Sequence, residues 1–282
     1  MGGGAAVLFP GQGSHTPEMR ELVAERAPEL LERCVALVGE DPFARVESST
    51  RFAQPAIFCA ALAGWDALDV TPAFAAGHSL GELSALAAAG VLGRDDALRL
   101  VVLRGKLMAE ADDSGSMLAI VGATPEEAAE IATEAGVTVA NDNAPGQVVL
   151  SGPRAALPGA EEAAQRRGRR ALPLDVAGAF HSPAMEPAVA PLREALDATE
   201  LHEPRFRVYS CSTTAPFGDV RAELAAAVTK PVRWRETVLA LRDAGADEFV
   251  ETGPGKVLTR LNKRILAAPD AGRAPREAAS HA

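Results

Sequence analysis

Residues 117–174 set out six short segments in an order that few folds accommodate. Residues 117–122 form an apolar run of strand length, and 125–135 a helix with proline in its first turn. Strands at 137–140 and 147–151 flank Asn141-Asp142-Asn143-Ala144-Pro145-Gly146, which has the composition of a turn. A helix at 155–167 and a strand at 170–174 close the series. Strand, helix, strand, strand, helix, strand is the order of a ferredoxin-like unit. Its place in mid-chain predicts a small domain, residues 116–178, inserted into a larger one built from 1–115 and 179–266.

The larger part alternates short apolar runs (5–9, 73–76, 207–210, 248–251) with helical stretches (18–38 with a break near Pro28, 54–68, 82–89). That alternation predicts an α/β fold with a mostly parallel sheet. Aromatic residues are only 4% of the chain, so alanine, valine and leucine must fill the core, and the abundant alanine also favours helix. From Ala267 the composition shifts to proline, alanine and scattered charge, which predicts a disordered tail over 267–282.

Charge and composition exclude several functions. A net charge of −10 offers no basic face to neutralise phosphates, so no nucleic-acid partner is expected. No uncharged apolar run approaches the roughly 20 residues that span a bilayer, and no membrane association is expected. The N-terminal Met1-Gly2-Gly3-Gly4-Ala5-Ala6 lacks the basic start and apolar centre of a secretory signal. Cys34, Cys59 and Cys211 have neither disulfide nor metal-ligand spacing, so the reading is a cytoplasmic protein with no metal site.

The chemistry gathers at Gly77-His78-Ser79-Leu80-Gly81. A serine hydroxyl needs a base to become a nucleophile and must stand clear of the backbone. A Gly-x-Ser-x-Gly turn between strand and helix provides that exposure. The following helix adds free N–H groups and a positive dipole end where an oxyanion would form. In a glycine-rich chain the pentapeptide alone reads equally as a plain turn, and the strand before it and helix after it tip the balance. Of five histidines, His281 lies in the tail, His202 in a charged stretch, and His78 would point away on a tight turn. His15 carries no further signal, and a lone histidine is more often structural than catalytic. His181, in Gly178-Ala179-Phe180-His181-Ser182-Pro183, falls at the junction of the two predicted domains, where clefts form.

Five motifs occur in order: Phe9-Pro10-Gly11-Gln12-Gly13-Ser14, Gly77-His78-Ser79-Leu80-Gly81-Glu82, Arg104-Gly105-Lys106-Leu107-Met108, Ala179-Phe180-His181-Ser182 and Gly253-Pro254-Gly255-Lys256-Val257-Leu258. Together they resemble the malonyl-CoA:acyl-carrier-protein transacylase family, which includes the acyltransferases of polyketide synthases, and the resemblance runs from Ala6 to about Leu266. The Gly178-Ala179-Phe180-His181 stretch is similar to free-standing acyltransferases that serve polyketide synthases in trans. The resemblance implies a large α/β-hydrolase-like domain carrying the small ferredoxin-like one. It implies transfer of a malonyl or related dicarboxylic acyl group from a CoA thioester, through an ester on Ser79, to the phosphopantetheine thiol of an acyl-carrier protein. No bound cofactor is expected.

Residue roles follow from the same resemblance. Ser79 is the nucleophile and His181 the acid/base. The backbone carbonyl of Ala227, where many relatives carry glutamine, orients the imidazole. The N–H groups of Gln12 and Leu80 form the oxyanion hole. Arg104 binds the free carboxylate of the acyl group through its planar fork, although Ala109 departs from a glutamine common in relatives. Phe180 stands where a bulky ring would crowd an α-substituent and so favour malonyl over methylmalonyl. Two basic clusters, Arg166-Arg167-Gly168-Arg169-Arg170 and Arg260 with Lys263 and Arg264, either steer an acidic carrier protein or simply complement helix C-termini. An editing hydrolase acting on stalled carrier proteins would have little use for Arg104. A non-catalytic docking subunit would be expected to have lost at least one of Ser79, His181, Gln12 and Arg104.

Overall fold

The computed structural model describes residues 3–268. The chain runs β1 (Gly4–Phe9), α1 (Met19–Arg26), α2 (Pro28–Val38), α3 (Thr50–Asp66), β2 (Pro72–Gly77), α4 (Gly81–Ala89) and α5 (Arg94–Ala111). There follow β3 (Gly115–Val121), α6 (Pro125–Ala135), β4 (Thr138–Ala144), β5 (Gln147–Pro153), α7 (Leu157–Arg166) and β6 (Arg170–Leu174). The last part comprises α8 (Glu186–Asp197), β7 (Arg207–Tyr209), α9 (Val220–Ala227), α10 (Trp234–Asp243), β8 (Ala246–Glu251) and α11 (Val257–Ala267).

Two sheets result. The first is parallel, in the order β7-β2-β1-β8. Alternation along β1 sends Val7 and Phe9 into a core formed with α3, α4, α5 and α8, and Ala6 and Leu8 into another formed with α10 and α11. Both faces are covered, as parallel sheets require. The second sheet is antiparallel in the order β4-β5-β3-β6, the ferredoxin-like arrangement expected from its element order. Leu118, Ile120, Val148 and Leu150 face α6 and α7, whereas Met117, Ala119 and Val149 join the large core on the opposite face.

Local signals set the helix ends. Pro28 starts α2 at its first turn, where a missing N–H costs nothing, which divides α1 from α2. Thr124 and Glu127 form a capping box on α6, which ends at Gly136 in the left-handed region.

Three expectations need correcting. Helix α3 begins at Thr50 rather than Gln54, because Ser49 caps it and Pro55 is absorbed inside at the loss of one backbone bond. Asn141 to Ala144 are not a turn. They continue β4 as buried, irregularly registered strand, and only Pro145-Gly146 turns. These polar residues are held by the larger part of the chain: the Asp142 N–H donates to Val232 O (2.8 Å) and the Val232 N–H to Ala140 O (2.8 Å). Ala267 ends α11 rather than opening a disordered tail, and the rest of that predicted tail, from 269, lies outside the described residues. Among the described residues no helix is long and apolar enough to cross a membrane.

Candidate active site

Strand β2 ends at Gly77 beside the end of β1, and α4 starts four residues later at Gly81. So sharp a reversal needs close backbone contact. A Cβ on Gly77 would overlap the Gly81 backbone, and one on Gly81 would overlap the Phe9 carbonyl. Between them Ser79 is forced to φ 53°, a left-handed conformation that non-glycine residues hold only where the surroundings impose it. The result is a serine lifted off the sheet at the start of a helix. Among the described residues neither the Leu80 N–H nor the Gln12 N–H finds an intramolecular acceptor, so both are free to meet an oxyanion.

His181 comes from the loop after β6 and is also left-handed, at φ 57°. Its Nδ1 lies 3.0 Å from Ala227 O and 2.9 Å from Lys230 O. Carbonyls only accept, so Nδ1 carries the proton and Nε2 is bare. Nε2 stands 2.7 Å from Ser79 Oγ, which must therefore donate to it. Burial, and then the nearby Arg104 charge, push the His181 pKa down to about 3, leaving the imidazole neutral and ready to accept a proton. Asp112 ties down the approach to this loop. One carboxylate oxygen accepts from the Ser114 and Gly115 N–H groups, and the other from the Ala179 N–H at 3.1 Å.

Arg104, on α5, is buried and donates from Nη2 to Ser79 Oγ (3.1 Å) and from Nη1 to Gln54 Oε1 (2.7 Å). Burial lowers its pKa to about 10, so it remains cationic at neutral pH. Gln54 Nε2 donates to Thr50 Oγ1 (2.9 Å), which donates to Gln12 Oε1 (2.8 Å). The Gln12 loop and the Arg104 fork are thus joined by one hydrogen-bonded chain. Glu82, one turn below Ser79, is the buried carboxylate nearest this group. It accepts from the Cys211 N–H (2.7 Å) and Ser210 Oγ (3.0 Å), and burial raises its pKa.

A cavity of about 10 Å³, the space a single water needs, opens beside Ser79 and Arg104. Its walls are Glu82, Leu83, Leu192, Leu196, Leu224 and Ala227. Phe180, expected to wall the acyl pocket, does not line this small cavity. Its ring folds back over Gly178, where an added Cβ would meet it at 2.7 Å.

Sequence reasoning therefore placed Ser79, His181, Arg104, Gln12, Leu80 and Ala227 together, and missed Gln54, Thr50, Glu82, Lys230 and Asn143. His78 does point away from the Ser79–His181 pair, and its Nε2 meets Asn143 Oδ1 of β4 at 2.8 Å. Asn143 could not have been found, because its segment reads as a turn. A buried glutamate directly after the serine turn was the one visible signal for Glu82. Arg166, Arg167 and Arg169 are engaged by Glu134, Glu130 and Glu127 of α6, which removes most of that cluster's free charge. Arg264 is held by Gln147 and Pro145 O. Among the described residues no group of three or more histidine, cysteine, aspartate or glutamate side chains could hold a metal ion.

Comparison with known proteins agrees with this geometry. Residues 33–276 match the acyl transferase domain family. The malonyl CoA-acyl carrier protein transacylase of Bacillus subtilis is 37% identical, over 92% of this chain and 90% of that one. The polyketide biosynthesis protein ThaF of Burkholderia thailandensis is 37% identical over 98% of this chain, which spans 26% of its length. Among solved structures, an acyl carrier protein S-malonyltransferase from Vibrio cholerae superposes with a TM-score of 0.85 at 36% identity, covering 93% and 94% of the two chains. A malonyl-transacylase, PlMCAT, solved in complex with the type II PKS acyl-carrier protein AntF, gives 0.87 at 36% identity, covering 93% of each. Likeness over nearly the full length, in sequence and in fold, means that this chain belongs to the acyl transferase family, among the malonyl CoA-acyl carrier protein transacylases.

Proposed function

We propose that the chain transfers a malonyl group from CoA to the phosphopantetheine thiol of an acyl-carrier protein, in cytoplasmic fatty-acid or polyketide synthesis. One observation carries this reading: Ser79 Oγ is hydrogen-bonded to both a neutral imidazole, at 2.7 Å, and a buried guanidinium, at 3.1 Å. A nucleophile, its base and a carboxylate binder meet at one atom. The names of the relatives point to the same donor and acceptor, and the AntF complex to a carrier protein as partner.

In the first half-reaction Ser79 Oγ attacks the thioester carbonyl as its proton passes to His181 Nε2. The Gln12 and Leu80 N–H groups receive the oxyanion, and Arg104 turns its fork to the free carboxylate of the acyl group. Collapse breaks the C–S bond, and His181 returns the proton to the leaving CoA sulfur. The carrier thiol then attacks the acyl ester, giving its proton to Nε2, and Ser79 leaves with that proton restored. The Nδ1–H bonds to Ala227 O and Lys230 O keep Nε2 facing Ser79 throughout. CoA enters as a substrate, and the cycle draws on no resident cofactor. In this reading residues 1–115 with 179–266 carry the chemistry, and residues 116–178 form the opposite side of the cleft.

Intact-protein mass spectrometry tests the reading. Wild type should gain one malonyl group from malonyl-CoA and pass it to a holo carrier protein, and Ser79→Ala should gain none. An adduct lost to water rather than to the carrier would instead indicate an editing hydrolase.

A further inference from the structure

Arg104 alone does not account for the motif that carries it. Gly105 lies against the start of α3, where an added Cβ would meet Thr50 O at 3.0 Å. That close approach brings α5 onto Gln54, which is buried one turn further along α3. A guanidinium only donates, so Gln54 must turn its Oε1 to Arg104 Nη1 (2.7 Å). Its Nε2 is then left to donate to Thr50 Oγ1 (2.9 Å) and toward Met108 Sδ (3.4 Å), four residues beyond Arg104. Thr50 Oγ1, already accepting, gives its own proton to Gln12 Oε1 (2.8 Å). Each link is directed by the one before it.

Resting on the transacylase reading above, we propose that Thr50 and Gln54 are positioning residues, a brace that holds the carboxylate binder Arg104 and the oxyanion-binding loop at Gln12 in fixed register. A malonyl thioester carries its carboxylate and its thioester carbonyl on either side of a single methylene. The two groups that receive them must therefore keep a constant separation, yet they come from different elements, Arg104 from α5 and Gln12 from the loop after β1. Thr50 and Gln54, four residues apart, lie on one face of α3 and reach both. The partner of Arg104 is an amide rather than a carboxylate, which fixes the guanidinium without neutralising its charge. Gln12 needs the hold, because it is exposed, with Gly11 before it and Gly13 at φ 91° after it. Ser14 Oγ fastens the Gly11 carbonyl (2.7 Å), but among the described residues Thr50 is the one side chain hydrogen-bonded to Gln12.

The test measures acylation of Ser79 in wild type, Gln54→Leu, Thr50→Val and Thr50→Ser with two donors, read by intact mass. Malonyl-CoA draws on both ends of the brace. The activated ester p-nitrophenyl acetate has no carboxylate and draws on the oxyanion end alone. Gln54→Leu frees Arg104 but leaves the bond from Thr50 to Gln12. The malonyl rate relative to the ester should fall roughly tenfold, chiefly through a higher half-saturating concentration of malonyl-CoA. Thr50→Val, close in shape, cuts both ends and should slow both donors. Thr50→Ser keeps the hydroxyl and should recover most of each rate. Melting curves taken beside these rates separate lost positioning from lost fold. Equal losses for both donors in Gln54→Leu would reduce Gln54 to packing and overturn the proposal. So would wild-type rates in Thr50→Val, or a Thr50→Val loss confined to malonyl-CoA. Failure of wild type to load malonyl at all would instead sink the transacylase reading on which it rests.

Discussion

Ser79 and His181 both sit in left-handed backbone, at φ 53° and 57°, yet they are held there by different means. The serine turn is held by backbone alone: two glycines let strand, turn and helix touch, and the Phe9 carbonyl of the adjacent strand accepts from the His78 N–H, with no side chain needed. The histidine loop is held from outside. Asp112 anchors Ala179, Ser182 Oγ caps the Ala179 carbonyl at 2.6 Å, and two carbonyls from residues 227 and 230 fix the ring. The nucleophile is thus a local device, whereas its base is an assembled one. A local device should fail abruptly when its backbone is disturbed, and an assembled one by degrees.

Gly81→Ala is the strongest test. Its methyl would overlap the Phe9 carbonyl, which is backbone and cannot rotate aside. The expected outcome is a loss of about 3 kcal/mol in stability and of more than a hundredfold in malonyl loading, read by chemical denaturation and intact mass. Loading at the wild-type rate would mean that the close approach does not position Ser79. Asp112→Ala should do less. It leaves the Ala179, Ser114 and Gly115 N–H groups without their acceptor, costing about 2 kcal/mol, and loosens His181. Turnover should fall roughly tenfold with KM for malonyl-CoA unchanged, since Arg104 is untouched, and Asp112→Asn should recover much of the loss. A change in KM alone would place Asp112 on the substrate side instead.

The same contrast explains what could be read from the sequence. Gly77 to Gly81 announce themselves because the glycines that shape the turn stand beside the serine, and the strand and helix order around them is equally local. The carbonyls of Ala227 and Lys230 leave no side-chain signature at all. Only resemblance to a family pointed to the first, and nothing pointed to the second. Asn141 to Ala144 look like a turn because their polar side chains suit one. They form strand because Asn143 and Asp142 find His78 and Arg235 across the junction, which no local pattern encodes. Phe180 shows the same limit, as neighbouring His181 in sequence says nothing about its ring packing over Gly178.

Ser182→Ala sharpens the comparison at a smaller scale. It removes the hydroxyl bond to Ala179 O and the acceptor for the Ala184 N–H, while Asp112 still grips the loop. About 1 kcal/mol of stability should go, and loading should slow no more than about threefold. A loss matching that of Asp112→Ala would show that the loop has one anchor in effect rather than several.

The smallest expected change is in the response of acyl-enzyme formation to acid. Burial and the Arg104 charge hold His181 near 3, whereas an exposed imidazole titrates near 6.5. In the folded protein the base is therefore still neutral at pH 5.5, and the loading rate should stay within about twofold of its value at pH 7.5. An ordinary histidine would lose roughly tenfold over that span. Stability should behave in the opposite way. The unfolded chain takes up a proton below about 6.5 that folded His181 refuses, so stability declines as pH falls from there toward about 3. His78, lowered chiefly by burial, adds to the decline in the same direction. Rapid-mixing measurements of loading beside melting curves would separate the two effects: a falling melting temperature with a level rate is the expected pair. A rate that drops tenfold by pH 5.5 would mean that water reaches His181, and that the assembled half of the site is looser than its hydrogen bonds imply.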